Sequence, residues 1–136
     1  MGYLLDTCVV SDFVKGEENT LKKIKFILPS DIFVSSLTVM EIKYGLAINP
    51  GKAVKIKSIL ETFLSSVTVL NFGLQEAEIV AEIRSLLKIS GSPIGAYDVL
   101  IAATALSHNL IMVTANVREF QRVPNLKIEN WRISEL

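Results

Sequence analysis

The sequence predicts an α/β fold: one domain spanning residues 1–136, with a central parallel sheet of four to five strands flanked by helices. Three observations carry this. Short apolar runs rich in β-branched residues alternate with stretches of helical periodicity, the pattern of a parallel sheet covered on both faces. Half of the residues are apolar, enough for a proper core in a chain of 136 residues. No repeat, low-complexity tract or linker interrupts the alternation.

In chain order, Tyr3 to Leu5 is a short apolar run that joins the alternation as its first candidate strand. Val9 to Lys15 predicts a short helix stopped by Gly16. Leu21, Ile24, Ile27 and Leu28 recur at helical spacing, with Lys22, Lys23 and Lys25 on the other faces. Pro29-Ser30-Asp31 is a turn, and Ile32 to Ser35 is a buried strand. A helix over Thr38 to Ile48 closes at Asn49-Pro50-Gly51, and the next presents Val54, Ile56, Ile59, Leu60, Phe63 and Leu64. Val67 to Leu70 is strand-like. Leu74 to Ile89 is the clearest amphipathic helix, with Ala77, Val80, Ile83 and Leu87 as its apolar stripe. Gly91-Ser92-Pro93 breaks it. Tyr97 to Ser107 is nearly all apolar and hence a buried helix. Leu110 to Val113 is a strand, Val117 to Phe120 a helical turn, and Leu126 to Glu129 an edge strand.

Composition excludes several classes. Fourteen basic residues balance 14 acidic ones, so no global field recruits nucleic acid or a membrane surface. Only 21% of the residues are charged, against roughly 25% in average proteins, and disorder is excluded. Cys8 stands alone, which rules out a disulfide framework and a multi-cysteine zinc site, and fits a reducing compartment. The longest uncharged stretch, Val99 to Val117, contains Ser107, His108, Asn109, Thr114 and Asn116, a poor bilayer span. The amino terminus has neither a basic leader nor a myristoylation pattern. The expectation is a soluble, cytoplasmic protein with no membrane partner.

Three carboxylates stand out because each is the one formal charge in its surroundings. Asp6 is alone from Met1 through Ser11, Glu41 from Ile32 through Ile42, and Asp98 from Ile89 through Val117. A buried carboxylate without a partner takes up a proton rather than stay ionised. A divalent cation bound between the three would supply the missing charge, and hard cations such as Mg²⁺ prefer oxygen ligands. Each acid also has a plain structural reading. Asp6 can cap a helix after a strand. Thr38-Val39-Met40-Glu41 has capping-box spacing, and Asp98 can complement a helix dipole.

The motifs around these acids resemble those of PIN-domain ribonucleases. Leu4-Leu5-Asp6-Thr7 and Thr38-Val39-Met40-Glu41-Ile42-Lys43-Tyr44-Gly45 are similar to the first two motifs. Pro93 to Ala103, with Asp98 at its centre, is similar to the third, and Val113 to Phe120 to the fourth. More narrowly, order and spacing resemble the VapC toxins of bacterial type II toxin–antitoxin systems, over Leu4 to Trp131. The resemblance implies a Mg²⁺- or Mn²⁺-dependent endoribonuclease, with Asp6, Glu41 and Asp98 as metal-site acids. It implies an RNA substrate, a VapB-type antitoxin, a homodimer, and contact with promoter DNA only through the antitoxin. Relatives with similar motifs include cutters of initiator tRNA, which makes a tRNA one candidate substrate. In the fourth motif the chain departs from the wider family's aspartate: Asn116 is an amide and the acid is Glu119, whose extra reach suits contact through water. Thr7, Thr114 and Asn116 are candidates for positioning substrate or water, although the hydroxyls can equally bond to backbone.

Other features carry less. His108, the one histidine, sits near a helix end and suits a dipole contact, which argues against histidine-dependent RNA cleavage. Cys8 reads as small packing. Lys43, Lys52, Lys55 and Lys57 read as a solvated helix face, with an RNA-tracking surface as the minority reading. A phosphoacceptor receiver domain fails because Asn71 and Thr114 stand where its aspartate and lysine belong. A glycosidase lacks aromatic platforms, and neither G-x-G-x-x-G nor a P-loop occurs. The alternative that stays is a PIN-fold binding or regulatory protein with a weakened site.

Overall fold

A computed structural model of the chain describes residues 1–133. The expected single unit of residues 1–136 takes in Ser134, Glu135 and Leu136, which lie outside the described residues. Strands β1 (Tyr3–Leu5), β2 (Ile32–Ser35), β3 (Thr68–Leu70), β4 (Ile111–Val113) and β5 (Ile128–Glu129) form one sheet in the order β3-β2-β1-β4-β5. Every pairing is parallel, with Leu5 in register with Val34 on one side and Val113 on the other. The helices are α1 (Thr7–Lys15), α2 (Glu18–Ile24), α3 (Ser36–Ala47), α4 (Pro50–Ser66), α5 (Leu74–Ile89), α6 (Ala96–Ser107) and α7 (Val117–Phe120). None of them is long and apolar enough to cross a membrane.

The period of two along a strand divides the core into two layers. Leu4 and Met112 face α5 and α6, where Val80, Ile83, Leu87, Ile101 and Ala102 are buried. Leu5, Val34 and Val113 face the opposite way, onto Val9, Val10, Leu60, Phe63 and Trp131. α6 carries five consecutive buried residues, Ile101 to Ala105, as its uncharged sequence predicts.

The differences from expectation have physical causes. α2 ends at Ile24 and Leu28 is exposed, because a residue before proline is pushed into extended backbone; Leu28 has φ −64° and ψ 137°. On α5 the inward position is Glu76, not Ala77. Its carboxylate accepts from the Gly73 N–H at 3.2 Å and pairs with His108 Nε2 at 3.0 Å, which makes burial tolerable. On α4, Val54 and Ile59 are exposed, and Leu60 and Phe63 supply the buried contact. α1 and α3 each begin two residues earlier than the apolar pattern indicates, because Asp6 and Ser35 cap them. Val67, Leu110, Leu126 and Lys127 fall just outside the strands.

Candidate active site

β1 and β4 are adjacent, yet the chain runs from β1 outward to β2 and β3, then returns to β4 and continues outward to β5. That reversal opens a crevice at the carboxyl ends of β1 and β4, where ligands bind in open parallel sheets. Asp6 directly follows β1 and Thr114 directly follows β4; the Asp6 N–H donates to the Val113 carbonyl at 3.0 Å. Asp98 enters from the first turn of α6, Glu41 from the middle of α3, and Glu119 from α7.

Asp6 is buried, and both plain and chemical readings of it coexist. Its Oδ1 caps α1 by accepting from the Val9 N–H at 3.0 Å, and it also accepts from the Cys8 thiol at 2.9 Å. Burial raises its pKa above the ordinary carboxylate range, against hydrogen bonds from Cys8, Thr114 and Val9 that pull it down. Burial and the neighbouring Asp6 charge push the Cys8 thiol up to about 12. The packing role expected for Cys8 therefore includes a hydrogen bond to a site acid.

Glu41 is not a capping residue. α3 starts at Ser36 with the Ser35 hydroxyl accepting from the Leu37 N–H, so the Thr38–Glu41 capping box does not form. Instead Glu41 Oε1 accepts from the Thr7 hydroxyl at 2.8 Å, and that hydroxyl lies 3.3 Å from the buried Thr38 hydroxyl. In the sequence Thr38 reads as a cap for its own helix, and its contact with Thr7 is not visible there. Its signal is a hydroxyl three residues before Glu41 on the same helix face.

The acids sense one another. Burial first, then the charges of Glu119, Asp6 and Glu41, push Asp98 up to about 6. Glu119 is held below its ordinary value, chiefly by the Gly95 N–H, which donates to its Oε1 at 2.7 Å. The Asn116 amide donates to Glu119 Oε2 at 2.5 Å, and the Asn116 N–H to the Thr114 hydroxyl at 3.0 Å. The donors of Asn116 are thus engaged within the protein. Gly95 is a further residue that sequence reasoning passed over; a Cβ there would lie 2.9 Å from Asp98 Oδ2.

Four carboxylates with no ion-pair partner among the described residues suit a hard divalent cation. No three His, Cys, Asp or Glu side chains among the described residues close into a metal cage. The site is open, the kind that holds a cation through one or two carboxylates and keeps several of its waters. His108 lies at the other end of α6 from Asp98, about 15 Å along the helix, and has no part in this chemistry.

A parallel α/β sheet with carboxylates gathered at its switch point defines a class, the acid-site nucleases of the PIN-domain type. The PIN-domain family model matches residues 3–126. A tRNA(fMet)-specific endonuclease VapC from Salmonella typhimurium is 34% identical over 131 residues, covering 95% of this chain and 97% of that protein. Ribonuclease VapC2 from Haemophilus influenzae is 36% identical over 129 residues, covering 95% and 97%. Among solved structures, VapBC2 from Rickettsia felis, bound to a DNA fragment from its promoter, superposes with a TM-score of 0.88 at 32% identity, over 96% of this chain and 99% of that one. The chain belongs to the PIN-domain family and, within it, to the VapC group of endoribonucleases, which are hydrolases. PIN-domain nucleases generally depend on a divalent metal, which agrees with the donor set described above.

Proposed function

We propose that this chain is the toxin of a type II toxin–antitoxin pair, acting in the cytoplasm. It would hydrolyse RNA phosphodiester bonds with a divalent cation, Mg²⁺ or Mn²⁺, held among Asp6, Glu41 and Asp98, by one or two of these carboxylates directly and by the rest through coordinated water. One observation carries the reading: carboxylates from the end of β1 and from α3, α6 and α7 gather close enough to raise one another's charge cost, and none of them has an ion-pair partner among the described residues. When bound, the cation supplies the positive charge that a phosphodiester needs beside carboxylates and acidifies a coordinated water. The chain's own groups fix the acids. Val9, Cys8 and Thr114 hold Asp6, the Thr7 hydroxyl holds Glu41, and the neighbouring Glu119 raises the pKa of Asp98.

A tRNA is the substrate class to try first, because the Salmonella relative is named a tRNA(fMet)-specific endonuclease. The solved relatives from Rickettsia and Salmonella are VapBC complexes bound to DNA, which supports a VapB-type partner that carries the chain to promoter DNA; a homodimeric toxin rests on the motif resemblance alone. Met40, Tyr44 and Ile48 form an exposed stripe at i, i+4, i+8 along and just past α3, beginning beside Glu41. An antitoxin tail lying on that stripe would bring a basic side chain to the acids, and Arg pairs well with carboxylates. Leu46, also on α3, packs inward against the core and lies off that stripe.

The test is cleavage of total RNA after brief induction, with sequencing of the new ends, beside cleavage in vitro in Mg²⁺, Mn²⁺ and chelator. Discrete ends that vanish with chelator support the reading. Chelator-insensitive cleavage overturns the metal site, and no cleavage at all moves the chain to the binding-protein alternative.

A further inference from the structure

We infer that Glu119 is a positioning residue: it takes the Gly95 N–H at the head of α6 and so keeps the Asp98 carboxylate from closing back onto the end of its own helix. The inference rests on the four-acid reading proposed above.

Asp98 is the third residue of α6, and Gly95 is its N-cap. An acid at that position ordinarily folds back onto the N-cap N–H. This protein contains its own control. α5 also has a glycine N-cap, Gly73, and an acid at the third position, Glu76, and there the Gly73 N–H donates to Glu76 Oε2 at 3.2 Å. In α6 the equivalent N–H is engaged by Glu119, from a different element, at 2.7 Å. The other Glu119 oxygen, Oε2, accepts from the Asn116 amide at 2.5 Å, which fixes the side chain in that pose. One turn on, Arg122 Nη1 donates to the Pro93 carbonyl at 3.0 Å, so α7 and Arg122, two residues past its end, grip the 93–95 loop at both ends.

Gly95 belongs to the same device. A Cβ at that position would sit 2.9 Å from Asp98 Oδ2 and 3.6 Å from Glu119 Oε1. Its φ is −55°, so the glycine is not needed for backbone freedom; it is needed for the room above it. Asn116 fits too. An aspartate in its place would set a second negative charge against Glu119, whereas the amide donates to it. The departure from aspartate in the fourth motif and the glutamate three residues later thus form one clasp.

The test reads the metal-free protein first. In ¹⁵N-labelled protein in chelator, the Gly95 amide is expected at low field with slow exchange, the mark of a short charge-assisted bond. Glu119→Ala should abolish that signal and weaken Mn²⁺ binding, measured by electron paramagnetic resonance, by about 10- to 100-fold, the range for lost supporting contacts. Glu119→Gln keeps an acceptor for Gly95 and, with the Asn116 amide turned over, the bond to Asn116. It should keep the signal and lose no more than about fivefold in Mn²⁺ affinity, the worth of one exposed charge. Gly95→Ala, which leaves Glu119 intact, should weaken Mn²⁺ binding by displacing Asp98. If Glu119→Gln loses Mn²⁺ binding as severely as Glu119→Ala while the Gly95 signal persists, Glu119 is a direct ligand and the inference fails. It fails also if Glu119→Ala leaves the signal unchanged. A wild-type protein that binds no Mn²⁺ would instead sink the four-acid reading, and the Gly95 signal would still judge the clasp.

Discussion

Replacing Asp98 by asparagine separates what the carboxylate does for chemistry from what it costs the fold. The group is pushed from 3.8 up to about 6, first by burial and then by Glu119, Asp6 and Glu41. Two units correspond to at most about 3 kcal/mol, and solvent screening at this half-open rim reduces that to about 1 kcal/mol. Because the folded-state pKa lies above the unfolded one, folding takes up a proton between the two values. The contribution of Asp98 to wild-type stability in chelator therefore rises as pH falls through about 6 and levels off below about 4. The asparagine amide donates to Glu119 without needing that proton. Asp98→Asn should thus raise the melting temperature in chelator at about pH 7.5 by about 3–5 °C, and the gain should shrink towards zero by about pH 4.5. Saturating Mg²⁺ should reverse the order, stabilising the wild type by linkage and leaving the variant unmoved, with RNA cleavage abolished. Differential scanning fluorimetry across pH, with and without Mg²⁺, reads all of this. A variant less stable than wild type in chelator, or one still stabilised by Mg²⁺, would refute the reasoning.

Other perturbations test separate parts of the site. Glu41→Gln should leave the melting temperature within about 2 °C, since Glu41 caps nothing, and abolish cleavage. Thr7→Val, which removes the hydroxyl bound to Glu41, should lower the single-turnover rate by about 10- to 100-fold with the fold retained by circular dichroism. Cys8 should react with iodoacetamide at about pH 8 on the order of a thousandfold more slowly than free cysteine, and Asp6→Asn should speed it several-fold; an ordinary rate in the wild type contradicts the raised thiol pKa. Phe120→Ala should cost about 3–5 kcal/mol by denaturant titration and lower Mn²⁺ affinity, because this buried ring anchors the four-residue α7 that carries Glu119.

Much of the fold is legible in the sequence because its strongest patterns are long or uncharged. α5 spans the residues its amphipathic period marks, and α6 is buried where its uncharged run predicts. The errors fall where a local bond overrides the apolar period. Ala77 sits on the predicted stripe, but Glu76 turns inward because two donors await it, Gly73 N–H and His108. Leu28 continues a helical spacing that Pro29 forbids. Helix starts shift for the same reason: Asp6 and Ser35 are polar, so periodicity does not see them, yet their side chains open α1 and α3.

The site shows the same competition more sharply, since a residue suited to a helix terminus is also suited to a cation. For Asp6 the two roles coexist: Oδ1 caps α1, and Cys8 and Thr114 add further donors around the carboxylate. For Glu41 the structure removes the capping role and puts the Thr7 hydroxyl in its place. Asp98 keeps its first-turn position, but the N–H that would draw it back is engaged by Glu119. No local reading of the third motif finds that exchange, because the partner lies 24 residues away on α7. Three isolated carboxylates are visible from charge spacing alone, and the fourth, Glu119 beside Arg118, only through the motif resemblance. Which of them are free to act is decided by donors from other elements, and those become visible only when the sheet brings β1 and β4 together.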